Sequence, residues 1–95
     1  LPVLSLGGCG VISVWANICP KQCHDLVASF NAGDVARARQ LQLQYLDLIN
    51  ALFCEVNPIP VKAAMKLIGY DCGKCRLPLT ELPEEYTEKL ERLLQ

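Results

Sequence analysis

An excess of charge of either sign is what this sequence lacks most plainly. Nine lysines and arginines stand against ten aspartates and glutamates, a formal net charge of −1. That balance offers no electrostatic footprint to nucleic acid or to an anionic membrane, so neither is an expected partner. Histidine is nearly absent: with His24 alone, no histidine-rich metal site can be assembled, and a solvated helix position accounts for it and for Asp25 beside it. Charged residues are missing altogether from Leu1 to Pro20, which raises a membrane span or a signal peptide. Pro2, Gly7, Gly8, Gly10 and Asn17 interrupt that run and no basic stretch precedes it, so neither reading stands. The lack of a targeting signal points to the cytoplasm. The lack of an initiator methionine before Leu1 marks a processed or truncated N-terminus.

What is present in quantity is apolar surface. Hydrophobic residues make up 52% of 95 positions, enough for one small domain and high for so short a chain, which suggests a surface meant for a missing partner. The stretch Gly7-Gly8-Cys9-Gly10-Val11-Ile12-Ser13-Val14-Trp15-Ala16-Asn17 reads as a glycine-rich turn leading into a buried β-strand over 10–16. Val11, Ile12, Val14, Trp15 and Ala16 run almost without interruption, as strands of parallel sheets covered on both faces do. Such a strand needs neighbours on both edges, and nothing after Pro20 has strand character. The chain therefore reads as a piece of something larger.

Four helices are expected after the strand. Pro20 opens the first, with Leu26, Val27 and Phe30 on its apolar face and Asn31-Ala32-Gly33 at its end. Asp34 is placed to cap a long second helix carrying Ala38, Leu41, Tyr45, Leu48, Ile49 and Leu52. A flanking stripe, Leu43, Leu46, Asn50 and Phe53, predicts burial of that helix on more than one side. Asn57-Pro58-Ile59-Pro60 must end it, since each proline removes a donor and forces its predecessor towards extended geometry. Pro60 then opens a third helix with Val61, Ala64, Met65 and Ile68, closed by Gly69. Asp71 to Thr80 reads as an irregular loop. The last helix runs from about Pro83 to the end, with Tyr86, Leu90, Leu93 and Leu94 as its buried stripe and Glu85–Lys89 and Glu88–Arg92 as i, i+4 ion pairs.

Six cysteines invite a chemical reading. Cys19 and Cys23 form C-x3-C and Cys72 and Cys75 form C-x2-C, and four thiolates so spaced could hold a tetrahedral zinc. The blander reading is preferred: Cys19 and Cys23 begin an ordinary amphipathic helix, and Cys9 and Cys54 fit as small buried apolar residues. A redox dithiol at Cys72 and Cys75 would open a helix in a βαβ unit, and here the pair lies in a loop; a local disulfide or two free thiols fits better. Ser13 lacks the G-x-S-x-G elbow and a base. The glycines at 7, 8 and 10 precede a strand, the wrong order for a phosphate loop. Lys62 and Lys66 lie one turn apart on the third helix, where solvated positions are the default and a Schiff base would need an apolar pocket.

Gly7-Gly8-Cys9-Gly10-Val11-Ile12-Ser13-Val14, Ala16-Asn17, Asn57-Pro58-Ile59-Pro60-Val61-Lys62 and Arg76-Leu77-Pro78-Leu79-Thr80, in this order and spacing, resemble the C-terminal part of the dihydrodipicolinate synthase family. The likeness runs the whole length, and the Asn-Pro-Ile-Pro-Val-Lys segment separates that family from relatives such as sialic acid lyase. The resemblance implies a chain that is mainly α as it stands: residues 1–33 as the last strand and helix of a (β/α)8 TIM barrel, and residues 34–95 as the helical C-terminal domain that extends it. It implies a parent enzyme that condenses pyruvate with aspartate semialdehyde in lysine biosynthesis, through a Schiff base on a lysine upstream of this chain, without a metal or other cofactor. The chain alone is then inert and needs the N-terminal part of the barrel. Ile12 matches the position whose backbone carbonyl lies beside bound pyruvate, and its side chain would be barrel core. Leu6 matches a subunit contact of the family's homotetramer. Trp15 stands where many members have a smaller residue such as Thr, and Cys9, Cys72 and Cys75 fall outside the family pattern. The competing class is a stand-alone helical interaction module, stabilised by zinc or a disulfide, whose apolar N-terminal segment binds a partner.

Overall fold

The computed structural model describes residues 1–94, and among them regular structure is helical only: α1 (Pro2–Ser5), α2 (Trp15–Ile18), α3 (Pro20–Asn31), α4 (Val35–Gln44), α5 (Leu46–Ala51), α6 (Ile59–Leu67) and α7 (Glu84–Leu94). The mainly α expectation holds. The chain divides into two compact units, Leu1–Leu46 and a second from Asp47 onward.

The first unit begins with a single turn that the sequence did not announce. Pro2 supplies helical φ without a wasted donor, and the Ser5 hydroxyl donates to the Pro2 carbonyl at 2.7 Å. The chain then doubles back so closely that the Gly8 N–H donates to the Val3 carbonyl at 2.9 Å. A Cβ at Gly8 would sit 2.6 Å from Val3 Cγ1 and 2.9 Å from Val3 O, so only glycine permits that approach.

The buried strand expected over 10–16 is not formed. Residues 8–13 carry no regular structure, Val11 is 59% exposed and Ile12 fully exposed. The cause is the absence of a ladder: extended backbone must exchange hydrogen bonds with a second strand, and none exists among the described residues. From Ser13 the chain satisfies its backbone locally, with Ala16 N–H donating to Ser13 O at 3.2 Å and Cys19 N–H to Trp15 O at 2.8 Å. Trp15 is buried on α2, its ring centroid 5.5 Å from that of Tyr45 at 41°, a separation typical of paired aromatics.

α3 packs on α2 and on α4, and the core of this unit is Leu4, Trp15, Cys23, Leu26, Ala38 and Leu41. Its end is a reciprocal arrangement. Ala32 N–H donates to Ala28 O, Gly33 N–H to Phe30 O and Asp34 N–H to Ser29 O at 2.8 Å, with Gly33 at φ +90° as helix-terminating turns demand. Asp34 Oδ1 then accepts from the Arg37 N–H at 3.0 Å and starts α4.

The long second helix is interrupted at Tyr45 and resumes as α5. Its main stripe is inward: Ala38, Leu41, Leu48 and Leu52 are buried. The flanking stripe is not, since Leu43 is 63% and Phe53 55% exposed and Leu46 and Asn50 face outward too. A helix face becomes core only where another element lies on it, and no described element covers that one.

The second helix ends at Ala51, six residues short of the Asn57–Pro58 expected to end it, because the chain there tightens into turns, Phe53 N–H donating to Asn50 O and Cys54 N–H to Ala51 O. The prolines do mark the start of the next helix. Asn57–Pro58 is a cis peptide in the bend after α5, and α6 starts at Ile59, one residue before Pro60, with Ile59, Pro60 and Ala64 buried. Residues 70–83 form the irregular connection, and α7 packs on α6 through Leu90, with Tyr86, Leu93 and Leu94 half-buried. The i, i+4 pairs expected on α7 do not close; among the described residues the ion pair is Lys74–Glu81, at 3.4 Å and highly exposed. Long side chains in water gain too little from pairing to be held in one geometry.

Two consequences are measurable in urea titrations. Asp34→Ala removes the α4 cap and lowers stability by about 1 kcal/mol. Leu41→Ala, which empties a fully buried position, costs roughly 2–5 kcal/mol, whereas Leu43→Ala on the exposed stripe stays within about 0.5 kcal/mol; equal effects at 41 and 43 would contradict the assigned core.

Candidate functional site

The sequence singles out Ile12, and the structure places it on the irregular stretch between the Gly7–Gly8 turn and α2. Residues 9–12 make no backbone hydrogen bond among the described residues, and the Ile12 side chain is in water. Leu6, six residues earlier, is 89% exposed. The N-terminal segment thus presents free carbonyls and N–H groups beside apolar side chains, a surface suited to strand pairing.

The cysteines do not converge. All six are free thiols, and no group of three or more His, Cys, Asp or Glu among the described residues could hold a metal ion. Cys9 is exposed, against the burial expected of it, because the strand that would have enclosed it is not formed. Cys54 is half-buried. Burial pushes the Cys19 thiol up, partly offset by the Trp15 indole N–H that lies towards it. That N–H is buried with no acceptor at bonding geometry, so the offset is a weak contact and no formed hydrogen bond. Burial also pushes the Cys54 thiol up; backbone N–H groups and the Lys89 ammonium oppose this, and the Glu55 carboxylate adds to it. Thiols held protonated are poor nucleophiles. The Leu1 amine is lowered by its own burial and donates to Gln42 Oε1 at 3.1 Å. His24 is exposed on α3, as a solvated residue should be, and Ser13 has no base near it among its hydrogen-bond partners.

A feature that spacing did not show lies in the second unit. α6, the 70–83 connection and the first turn of α7 enclose an open groove of about 700 Å³ that gathers Lys62, Lys66 and Lys74. The sequence had put Lys62 and Lys66 on one helix face. Lys74 could not be placed with them, because an irregular connection has no period from which to read its path. A second hollow of about 530 Å³, lined by Asp47, Asn50, Lys89, Arg92 and Leu93, has only exposed polar groups.

Comparison with known proteins places the whole chain in one family. The model of the dihydrodipicolinate synthetase family matches residues 1–95. A 4-hydroxy-tetrahydrodipicolinate synthase of Acetivibrio thermocellus is 58% identical over 95 residues, covering the whole of this chain and 32% of that protein. One from Caldicellulosiruptor bescii is 54% identical over 94 residues, 99% of this chain and 32% of the relative. The crystal structure of dihydrodipicolinate synthase from Thermotoga maritima superposes with a TM-score of 0.95 at 42% identity, over 98% of this chain and 32% of that one. The chain thus spans about a third of the length of the curated relatives it matches. With the family's model matched from Leu1 to Gln95, this chain belongs to the dihydrodipicolinate synthetase family.

Proposed function

We propose that this chain is the C-terminal part of a 4-hydroxy-tetrahydrodipicolinate synthase, a cytoplasmic lyase that condenses pyruvate with aspartate semialdehyde. The observation that carries the reading is the end-to-end match to proteins of that name. In this assignment residues 1–33 supply the last strand and helix of the barrel and residues 34–95 the helical domain that follows. The unpaired backbone of residues 9–12 and the exposed Val11 and Ile12 are the edge and face that neighbouring barrel strands would take up.

The active site of such a barrel gathers at the C-terminal ends of its strands. Ile12 would bring a backbone carbonyl there, beside pyruvate. A carbonyl oxygen carries partial negative charge, which favours the cationic form of an imine formed between the ketone carbon of pyruvate and a lysine amine. That lysine belongs to the part of the enzyme outside this chain. A Schiff-base lysine needs an apolar pocket, and here Lys21, Lys66, Lys74 and Lys89 are exposed and Lys62 half-exposed. Leu6, exposed on the same segment, would take part in contact between copies in a homo-oligomer.

Borohydride reduction in the presence of pyruvate tests the assignment. The chain alone should gain no mass, and a mixture with the complementary N-terminal two-thirds should form the adduct on that larger part. A stable adduct on any lysine of this chain would sink the claim that it is inert by itself. Because the proposed contact at position 12 is made by backbone, Ile12→Ala in the full-length enzyme should change the KM for pyruvate less than about threefold. A loss of two orders of magnitude would instead assign the role to the side chain.

A further inference from the structure

The groove beside α6 holds a charge that its own residues do not complete. Three ammonium groups and two carboxylates line it, one positive charge in excess, and neither carboxylate pairs with Lys62 or Lys66. Asp71 Oδ1 accepts from the Gly73 N–H at 3.0 Å, and Glu81 Oε1 pairs with Lys74 Nζ at 3.4 Å. Lys62 Nζ reaches only the Lys74 carbonyl, at 3.5 Å, the outer limit of a useful hydrogen bond. The Lys66 ammonium has no hydrogen bond or ion pair among the described residues.

We infer that this groove binds a short-chain dicarboxylate, one carboxylate on Lys62 and the other on Lys66. Residues four apart on a helix lie on one face with Cβ atoms about 5–6 Å apart, a spacing that the two ends of a short diacid match. The same groove is lined by the apolar residues Ile59, Ala63, Leu67 and Leu82, a floor that would take the methylenes of the ligand. The Thr80 hydroxyl lines the groove and is a further donor, whereas that of Thr87 is committed to the Pro83 carbonyl at 3.3 Å. A volume of about 700 Å³ falls within the ~300–1,000 Å³ of small-molecule sites, where a mainly apolar lining with a few convergent polar groups is the usual composition. Inorganic phosphate has two charges and no hydrocarbon, so it gains nothing from the floor. The inference stands apart from the proposed activity, since none of these residues is assigned a part in it.

Isothermal titration of the full-length protein with succinate, at constant ionic strength, tests it, with inorganic phosphate and butyrate as comparison probes. Succinate should bind saturably at this groove and more tightly than either probe. Lys62→Gln and Lys66→Gln should each weaken it by at least about tenfold. Ala63→Leu, which fills the floor without touching a charge, should do likewise, and Lys21→Gln on α3 should change nothing. Unchanged melting temperatures without ligand would show that the variants are folded. Absence of saturable binding, phosphate binding as tight as succinate, or succinate binding retained by the Lys62→Gln/Lys66→Gln double variant would each overturn the inference.

Discussion

A backbone that is extended can be stable only as part of a ladder, because every N–H and C=O along it needs a partner in the next strand. That requirement governs what this chain does with its most apolar segment. Residues 9–12 have no ladder among the described residues and stay unbonded; from Ser13 onward the hydrogen bonds are local and the chain is helical. The same requirement explains the exposure of Val11 and Ile12, since side chains of a strand are buried by layers that exist only once the sheet does. Membership of a family whose proteins are about three times as long supplies the physical context for a segment with apolar faces and free edges.

How far the fold was legible follows the same division between local and non-local causes. Pro20, the Asn31–Asp34 corner, Pro60 and the charge order of α7 act within a few residues of themselves, and the helix starts they mark at 20, 35, 59 and 84 lie where the sequence put them, to within a residue or so. The end of the second helix, expected at Asn57–Pro58, lies six residues earlier at Ala51. The main stripe from Ala38 to Leu52 was legible because period 3.6 records which side a helix buries. What went unread depended on distant partners. The strand at 10–16 needed neighbours, the stripe of Leu43 and Phe53 needed a covering element, and the break at Tyr45 has no proline or glycine to mark it.

The candidate sites divide in the same manner. The backbone contact proposed for Ile12 rests on resemblance alone, because a carbonyl's role leaves no trace in residue type. The grouping of Lys62 and Lys66 was visible as helical spacing. The apolar floor, the return of the 70–83 connection and the engagement of Asp71 and Glu81 by other groups required coordinates. Cysteine spacing, by contrast, suggested chemistry that the structure does not assemble: the thiols lie apart, and burial holds Cys19 and Cys54 in the unreactive form.

Asp34 stops one helix and starts the next. Its N–H closes α3 on Ser29 and its carboxylate opens α4 on Arg37, so the corner has no slack in length. An added or deleted residue between Phe30 and Arg37 would unseat both helix ends at once and rotate Ala38 and Leu41 away from Leu26. The connection at 70–83 carries no such double duty. A residue added at that corner should therefore cost far more stability than one added in the connection.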